Sequence, residues 1–366
     1  MAAYITFQPT DHYATKTYDG NSSTNAQTGV GFQPALTVNK LREPSGEAFK
    51  VQDSIRTAGY YMNWNNTNAD SSGGGMASFD ADGFTMSGAN NAWNYGISGN
   101  YYPYCSWNWK MGTTSGVSFG SADITPSSYS IDTTTNSGIY KYSGNGSSAQ
   151  TVAHGLGVKP DFVTIKRLED NGHGWQASNT RNGYGVALRM ESDAANNTSA
   201  SWWNNTAPTT DVVNIGGDTW NNLSGKTFMM YCFTNKRGFF HTSWYKGNGD
   251  ADGPFVYLGF RPALLWIKNS ETVSDWYVWD NKRPTTSGQG IAASYWNSNA
   301  TVLSQNATTA EVTNHGAAEH PIDFLSNGFK VRTTSSARNG DGYQILYAAW
   351  AEFPCVSSNS KPGVAR

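Results

Sequence analysis

The chain has 366 residues, a formal net charge of −2, 14% charged and 14% aromatic residues, and 39 glycines. That length suits two to four hydrophobic cores rather than one, and its 25 Lys and Arg are scattered without the basic run that nucleic-acid binding requires. No stretch approaches about 18 consecutive apolar residues and Met1 to Phe7 carries no charged leader region, so neither membrane insertion nor a Sec signal peptide is expected.

Tyr, Trp, Val and Thr suit a pleated surface and Gly and Asn suit turns, so the composition predicts an all-β chain. After an N-terminal segment, 1–11, a set of landmarks appears in 12–112 and returns in 138–241 and 242–355. Each copy opens on a strand and a Gly-Asn turn: Tyr18-Asp19-Gly20-Asn21, Tyr142-Ser143-Gly144-Asn145 and Tyr245-Lys246-Gly247-Asn248. A proline then starts an apolar strand that ends on lysine six residues later, at Pro34 and Lys40, Pro160 and Lys166, Pro262 and Lys268. Next comes an aromatic strand with a polar residue three before an arginine: Asp53 and Arg56, Ser178 and Arg181, Asp280 and Arg283. A Trp-Asn corner follows at Trp64-Asn65, Trp203-Asn204 and Trp296-Asn297.

Each copy closes on a Tyr-led strand at Tyr104, Tyr231 or Tyr347. This alignment sets Cys105 and Cys232 at matching positions and predicts buried free thiols, with Cys355 as a third cysteine outside any disulfide framework. A Gly-Phe corner, Gly83-Phe84 and Gly328-Phe329, is degenerate in the second copy near Gly216-Gly217-Asp218. The Ser/Thr/Gly-rich stretch 113–137 reads as an extended linker and 356–366 as a C-terminal tail. The expected architecture is three tandem antiparallel β-sandwich modules, of jelly-roll or concanavalin-like type.

Tyr142 to Gly146, His154-Gly155-Leu156-Gly157, Gly259 to Leu264, Asp323 to Lys330 and Tyr347 to Glu352 carry a resemblance. The sequence around them, from Tyr13 to Phe353, resembles a repeated concanavalin-like β-domain of tailed-bacteriophage virion and tail-fibre-like proteins, particularly marine ones. The resemblance implies a virion protein that assembles in the host cytoplasm, with other virion proteins as partners and a homo-oligomeric state such as a trimer. A tail fibre, tail appendage or capsid fibre acting in host adhesion is the leading reading, and a capsid-decorating protein the alternative. A polysaccharide-degrading enzyme ranks third.

Catalysis is not expected, because the six histidines do not recur in register and no spaced carboxylate pair repeats. His315-Gly316-Ala317-Ala318-Glu319-His320 has the wrong spacing and a helix-breaking glycine for zinc. Asp80 to Gly83 and Asp250 to Gly253 lack the further oxygens of a calcium loop and read as turns. No metal or cofactor is expected. The Asp/Ser–Arg pairs read as architectural hydrogen bonds. The Trp-Asn corners, Trp64 with Asn65, Trp203 with Asn204 and Trp296 with Asn297, are the candidate sites for stacking a host-surface glycan, since an indole face beside an amide suits a sugar.

Overall fold

The computed structural model describes residues 5–97, 99–283, 298–299, 301–312 and 321–356, and over these the chain is all-β with antiparallel sheets. The first copy supplies β1 (Tyr13–Asp19), β2 (Asn25–Gln27), β3 (Leu36–Leu41), β4 (Lys50–Asp53), β5 (Met62–Asn63), β6 (Met76–Asp80), β7 (Gly83–Met86), β8 (Gly96–Ile97), β9 (Asn100–Tyr101) and β10 (Pro103–Trp109). From the second come β11 (Ser128–Asp132), β12 (Ser137–Ser143), β13 (Gln150–Ala153), β14 (Phe162–Arg167), β15 (Trp175–Asn179), β16 (Val186–Arg189), β17 (Asn197–Thr198), a helical turn α1 (Ala200–Trp203), β18 (Val212–Ile215) and β19 (Thr227–Phe233). The third gives β20 (Phe240–Lys246), β21 (Phe255–Tyr257), β22 (Phe260–Asn269), β23 (Trp276–Asp280), β24 (Ser298–Asn299), β25 (Leu303–Ser304), β26 (Ile322–Leu325), β27 (Gly328–Val331), α2 (Ser336–Asn339) and β28 (Gln344–Pro354).

One strand order recurs in the three large sheets: β1-β10-β3-β4-β5, β12-β19-β14-β15-β16 and β20-β28-β22-β23-β25. The registers agree as well, since Leu36, Phe162 and Leu264 stand opposite Trp109, Phe233 and Trp350, and Lys40, Lys166 and Lys268 opposite Cys105, Met229 and Leu346. The strand after each proline is buried on both faces, which is why it reads as a continuous apolar run. Alternate side chains point opposite ways. Leu36, Val38, Phe162, Leu264 and Trp266 meet in one core shared by the three large sheets. Leu41, then Val163 and Ile165, then Leu265 and Ile267, face separate cores that each large sheet shares with its own smaller sheet, β2-β7-β6, β13-β18 or β21-β27-β26-β24.

The three copies close a ring. The amide of Asp70 donates to the carbonyl of Leu168, that of Asn196 to Ser270, and that of Glu311 to Arg42, at 2.7, 2.8 and 2.7 Å. A second set repeats the cycle: Gly172 to Thr67 at 3.0 Å, Ser274 to Asp193 at 2.8 Å and Gly46 to Thr308 at 2.8 Å. First binds second, second binds third, and third binds first. Inside this ring seven indoles line the shared core, with Trp350 4.7 Å from Trp266 and 5.4 Å from Trp109 between ring centres, and Trp64 and Trp175 5.8 Å apart.

Three expectations are corrected by these registers. Cys105 and Cys232 are both buried and free, but they are not equivalent: Cys105 stands opposite Lys40 and faces the shared core, whereas Cys232 stands opposite Val163 and faces the second copy's outer core. A shift of one residue turns a strand's side chains to the other face, and Tyr104 matches Phe228 and Ile345 rather than Tyr231 and Tyr347. The stretch 113–137 is not merely a linker, because β11 extends the second large sheet and Ile124 bridges Val152. The degenerate corner lies at Val212-Val213, where β18 takes the place of β7 and β27, rather than near Gly216.

Candidate functional site

The Trp-Asn corners are not surface platforms. Trp64 is 5% exposed and packs edge-on against Trp266 at 4.9 Å in the shared core. Trp203 ends α1 and is 0% exposed in the second copy's outer core. Neither position matches the other, since Trp64 corresponds to Met190 and Gln305, whose amides donate to Trp175 and Trp276 as that of Trp64 donates to Phe49. Asn65 is half-buried with its Oδ1 unpaired, and Asn204 adopts a left-handed conformation (φ 51°) that ends α1. Trp296 and Asn297 lie outside the described residues, as does the His315 to His320 motif. Both described indoles thus present no face to a sugar.

The repeated landmarks instead build the frame. In Tyr-x-Gly-Asn the phenol donates to a main-chain carbonyl, from Tyr18 to Trp93 at 3.0 Å, Tyr142 to Asn221 at 2.6 Å and Tyr245 to Arg338 at 2.6 Å. The asparagine after the glycine donates its amide N–H to the side chain of a buried partner, Asn21 to Asn94, Asn145 to Asn222 and Asn248 to Asn339. Glycine is required between them, because a Cβ would come within 2.2 Å of the Tyr95 carbonyl, 2.4 Å of Leu223 and 2.1 Å of Gly340.

Lys40, Lys166 and Lys268 are each 0% exposed and reach main-chain carbonyls rather than carboxylates. Lys40 donates to Leu41 and Lys166 to Arg167 and His173, all at 2.8 Å, and Lys268 donates to Ser274 and, across a junction, to Asp193. Burial pulls all three ammonium groups down to about 8. With no path to solvent they close strand ends and offer no nucleophile.

The arginine landmarks hold in two copies only. Arg56 Nε donates to Asp53 at 2.7 Å and its Nη1 to Asp70 at 2.6 Å. Arg283 Nε donates to Asp280 at 2.6 Å and its Nη1 to Glu311 at 2.9 Å, where Arg42 forks onto the same carboxylate at 2.8 and 2.9 Å. Burial alone would push Glu311 up, yet Arg283 and Arg42 hold it below the usual range. In the second copy the equivalents of Asp53 and Arg56 are Asn179 and Asn182, so Ser178 and Arg181 are displaced by one residue and Arg181 is exposed. There a neutral pair, Asn182 with Asn196, replaces the ions.

The junctions differ in step with these pairs. Tyr231 of the second copy donates to Asp53 of the first at 3.2 Å, and Trp107 of the first donates to Asp280 of the third at 3.1 Å. At the remaining junction the matching residues are Ala348, which has no donor where Tyr231 and Trp107 have one, and Asn179, which has an amide in place of a carboxylate. Sequence reasoning missed Asp70, Glu311 and Arg42. Only the spacing of the cyclic contacts reveals them, and that spacing is written nowhere locally.

Among the described residues no group of His, Cys, Asp and Glu is arranged to hold a metal, and no helix is long and apolar enough to cross a membrane. His12 is tied to Asp132 at 2.5 Å and His154 to the carbonyl of Thr209 at 3.2 Å, and burial pulls His154 down to about 4. The shared core encloses a void of only about 10 Å³. A larger cleft of about 200 Å³ lies between the first and third copies beside β1. Comparison with curated proteins and with solved structures found no match. The frame built by these landmarks runs through the whole region, residues 8–354, that matches one family, and the chain belongs to it: the Domain of unknown function family DUF7483.

Proposed function

We propose that this is a non-enzymatic structural protein of a tailed-bacteriophage virion, made of three concanavalin-like sandwich modules locked into one block and working as exterior decoration. The observation that carries this reading is the use of the repeat landmarks, apart from the exposed Arg181 and Asn204, for internal packing, the candidate glycan-stacking indoles Trp64 and Trp203 included. The cyclic main-chain bonds tie the three copies to one another through the chain's own groups. Its partners are then other virion proteins and copies of itself, a trimer among them. Mass spectrometry of purified particles should find the polypeptide in stoichiometric amount, and cryo-electron microscopy should place it on the head or a fibre. Absence from the particle ends this reading.

Host adhesion is the second reading. Phe255, Tyr257 and Phe353 of the third copy, 46, 59 and 37% exposed, support it as an aromatic patch beside the Arg261–Glu352 ion pair. Purified protein that competes with phage for adsorption to host cells, and loses this on Tyr257→Ala, would favour adhesion. Failure to compete leaves decoration.

A further inference from the structure

The outer edge of β1 is open where its counterparts are covered. The carbonyl of His12 accepts from the amide of Lys110 at 3.0 Å, so even-numbered residues of this strand bond to β10 and the N–H and C=O of Tyr13, Thr15 and Thr17 point away from it. Thr15 corresponds to Ile139 and Thr242, which face Tyr231 and Ala348 as Thr15 faces Trp107. Ile139 is covered by Ser130 of β11. Thr242 is covered by one asparagine: its N–H donates to Asn235 Oδ1 at 2.7 Å, and Asn235 Nδ2 donates to its carbonyl at 3.2 Å. The main-chain N–H of Asn235 in turn donates to Asp161 Oδ2 at 2.8 Å.

No strand or amide among the described residues takes this place at Thr15. In its stead is the cleft of about 200 Å³, lined by Thr10, Tyr13, Thr15, Gly29, Ala263 and Asn281. Two replacements make the room: Ala263 stands where Asp161 does, and Asn281 where Thr180 does, each of the latter donating its amide to the carbonyl of the former. Thr180 Oγ1 is bonded to Asp161 at 3.0 Å, but Asn281 Oδ1 has no hydrogen-bond partner. An unpaired acceptor and an unpaired strand edge thus meet in one cleft.

We propose that this cleft receives an asparagine from an extended peptide segment of another polypeptide. Its carboxamide spans the N–H and C=O of Thr15 as Asn235 spans those of Thr242, and its main-chain N–H donates to Asn281 Oδ1 as that of Asn235 does to Asp161. Primary carboxamides present donor and acceptor side by side, which fits one strand residue. Aspartate lacks the donor, leucine lacks both, and the trans amide of an N-acetyl sugar points them apart. Nitrogen-15 spectra of the full chain, titrated with acetyl-Thr-Asn-Thr-amide, test this. The Thr15 amide should shift with an affinity in the millimolar range expected for so small a contact, while the Asp and Leu peptides and N-acetylglucosamine bind at least about tenfold more weakly. Ala263→Phe, whose ring fills the cleft beside Thr15, should abolish the shift. If that variant does not fold, Asn281→Ala should weaken binding severalfold. An unmoved Thr15 amide, or equal shifts from the Asp and Leu peptides, overturns the proposal. So does self-association of the wild-type chain that Ala263→Phe removes, because the occupant is then a second copy.

Discussion

Arg283 is fully buried between Asp280 and Glu311, so removing its charge takes the buried cation from Asp280 and leaves Glu311 with Arg42 alone. Breaking a buried pair from one side costs about 3–5 kcal/mol, and we expect Arg283→Ala to lower urea stability by that order. Arg181→Ala, on the exposed residue, should change stability by no more than about 0.5 kcal/mol. Equal effects would contradict the one-residue offset that leaves Arg181 outside the second copy's frame. The lysines make a pH prediction. Burial holds Lys40, Lys166 and Lys268 at about 8 in the folded chain, against about 10.4 for a free lysine. Between these values the unfolded chain binds more protons, so stability rises with pH. Buried tyrosines work the other way. Tyr13, Tyr142 and Tyr231, pushed well up by burial, stay protonated above pH 10 when unfolded tyrosines ionise. Stability should therefore peak at about pH 9 to 10, and Lys166→Met should flatten the rising limb in a series of denaturation curves. A curve that falls steadily from pH 7.5 would refute the assignment.

At the scale of the element, the strand after each proline was legible because its signal is local. Pro34 to Lys40, Pro160 to Lys166 and Pro262 to Lys268 superpose in register, and Val38, Val163, Ile165, Trp266 and Ile267 are all buried strand residues. The closing strand was not legible, since several aromatic residues in each copy satisfy a Tyr-led pattern and only pairing to the lysine strand decides among them. The Trp-Asn corners failed for the same reason: a tryptophan beside asparagine reads alike on a surface and under a neighbouring copy. The stretch 113–137 hid β11 because its partners, Ser137 to Lys141, lie beyond a turn and its own apolar content is low. The thiols offer a direct check. A disulfide reagent should titrate one cysteine per native chain, the half-buried Cys355, and three after denaturation, because burial shields Cys105 and Cys232 and raises their pKa values. Rapid reaction of two or more in the native chain counts against this packing. The Gly-Asn turn is equally exposed to test: Gly144→Ala forces a contact on the Leu223 carbonyl and should cost more than about 2 kcal/mol by chemical denaturation.

Over the whole molecule, the shared core makes the copies interdependent. Phe162, Trp175, Tyr231 and Phe233 of the second copy are covered by residues of the first and third, so residues 113–239 expressed alone would present a large apolar face. Such a fragment should aggregate or bind a hydrophobic dye, and calorimetry of the full chain should show a single cooperative transition. Three separate transitions would show instead that the copies fold as independent beads. None of this was visible in the repeat itself, which announces three similar units but not that their inner faces meet.

The unequal junctions have a consequence for how the repeats are ordered. Each joint is keyed: a phenol meets a carboxylate at Tyr231 and Asp53, an indole meets a carboxylate at Trp107 and Asp280, and at the third the equivalent positions hold the methyl of Ala348 and the amide of Asn179. Swapping two copies would set the methyl of Ala348 against the Asp53 carboxylate, which loses its donor, and the indole of Trp107 against the neutral amide of Asn179. The copies are matched in pairs across their seams, so that the ring favours one cyclic order, and a chain assembled from shuffled repeats would carry its mismatches in the driest part of the protein.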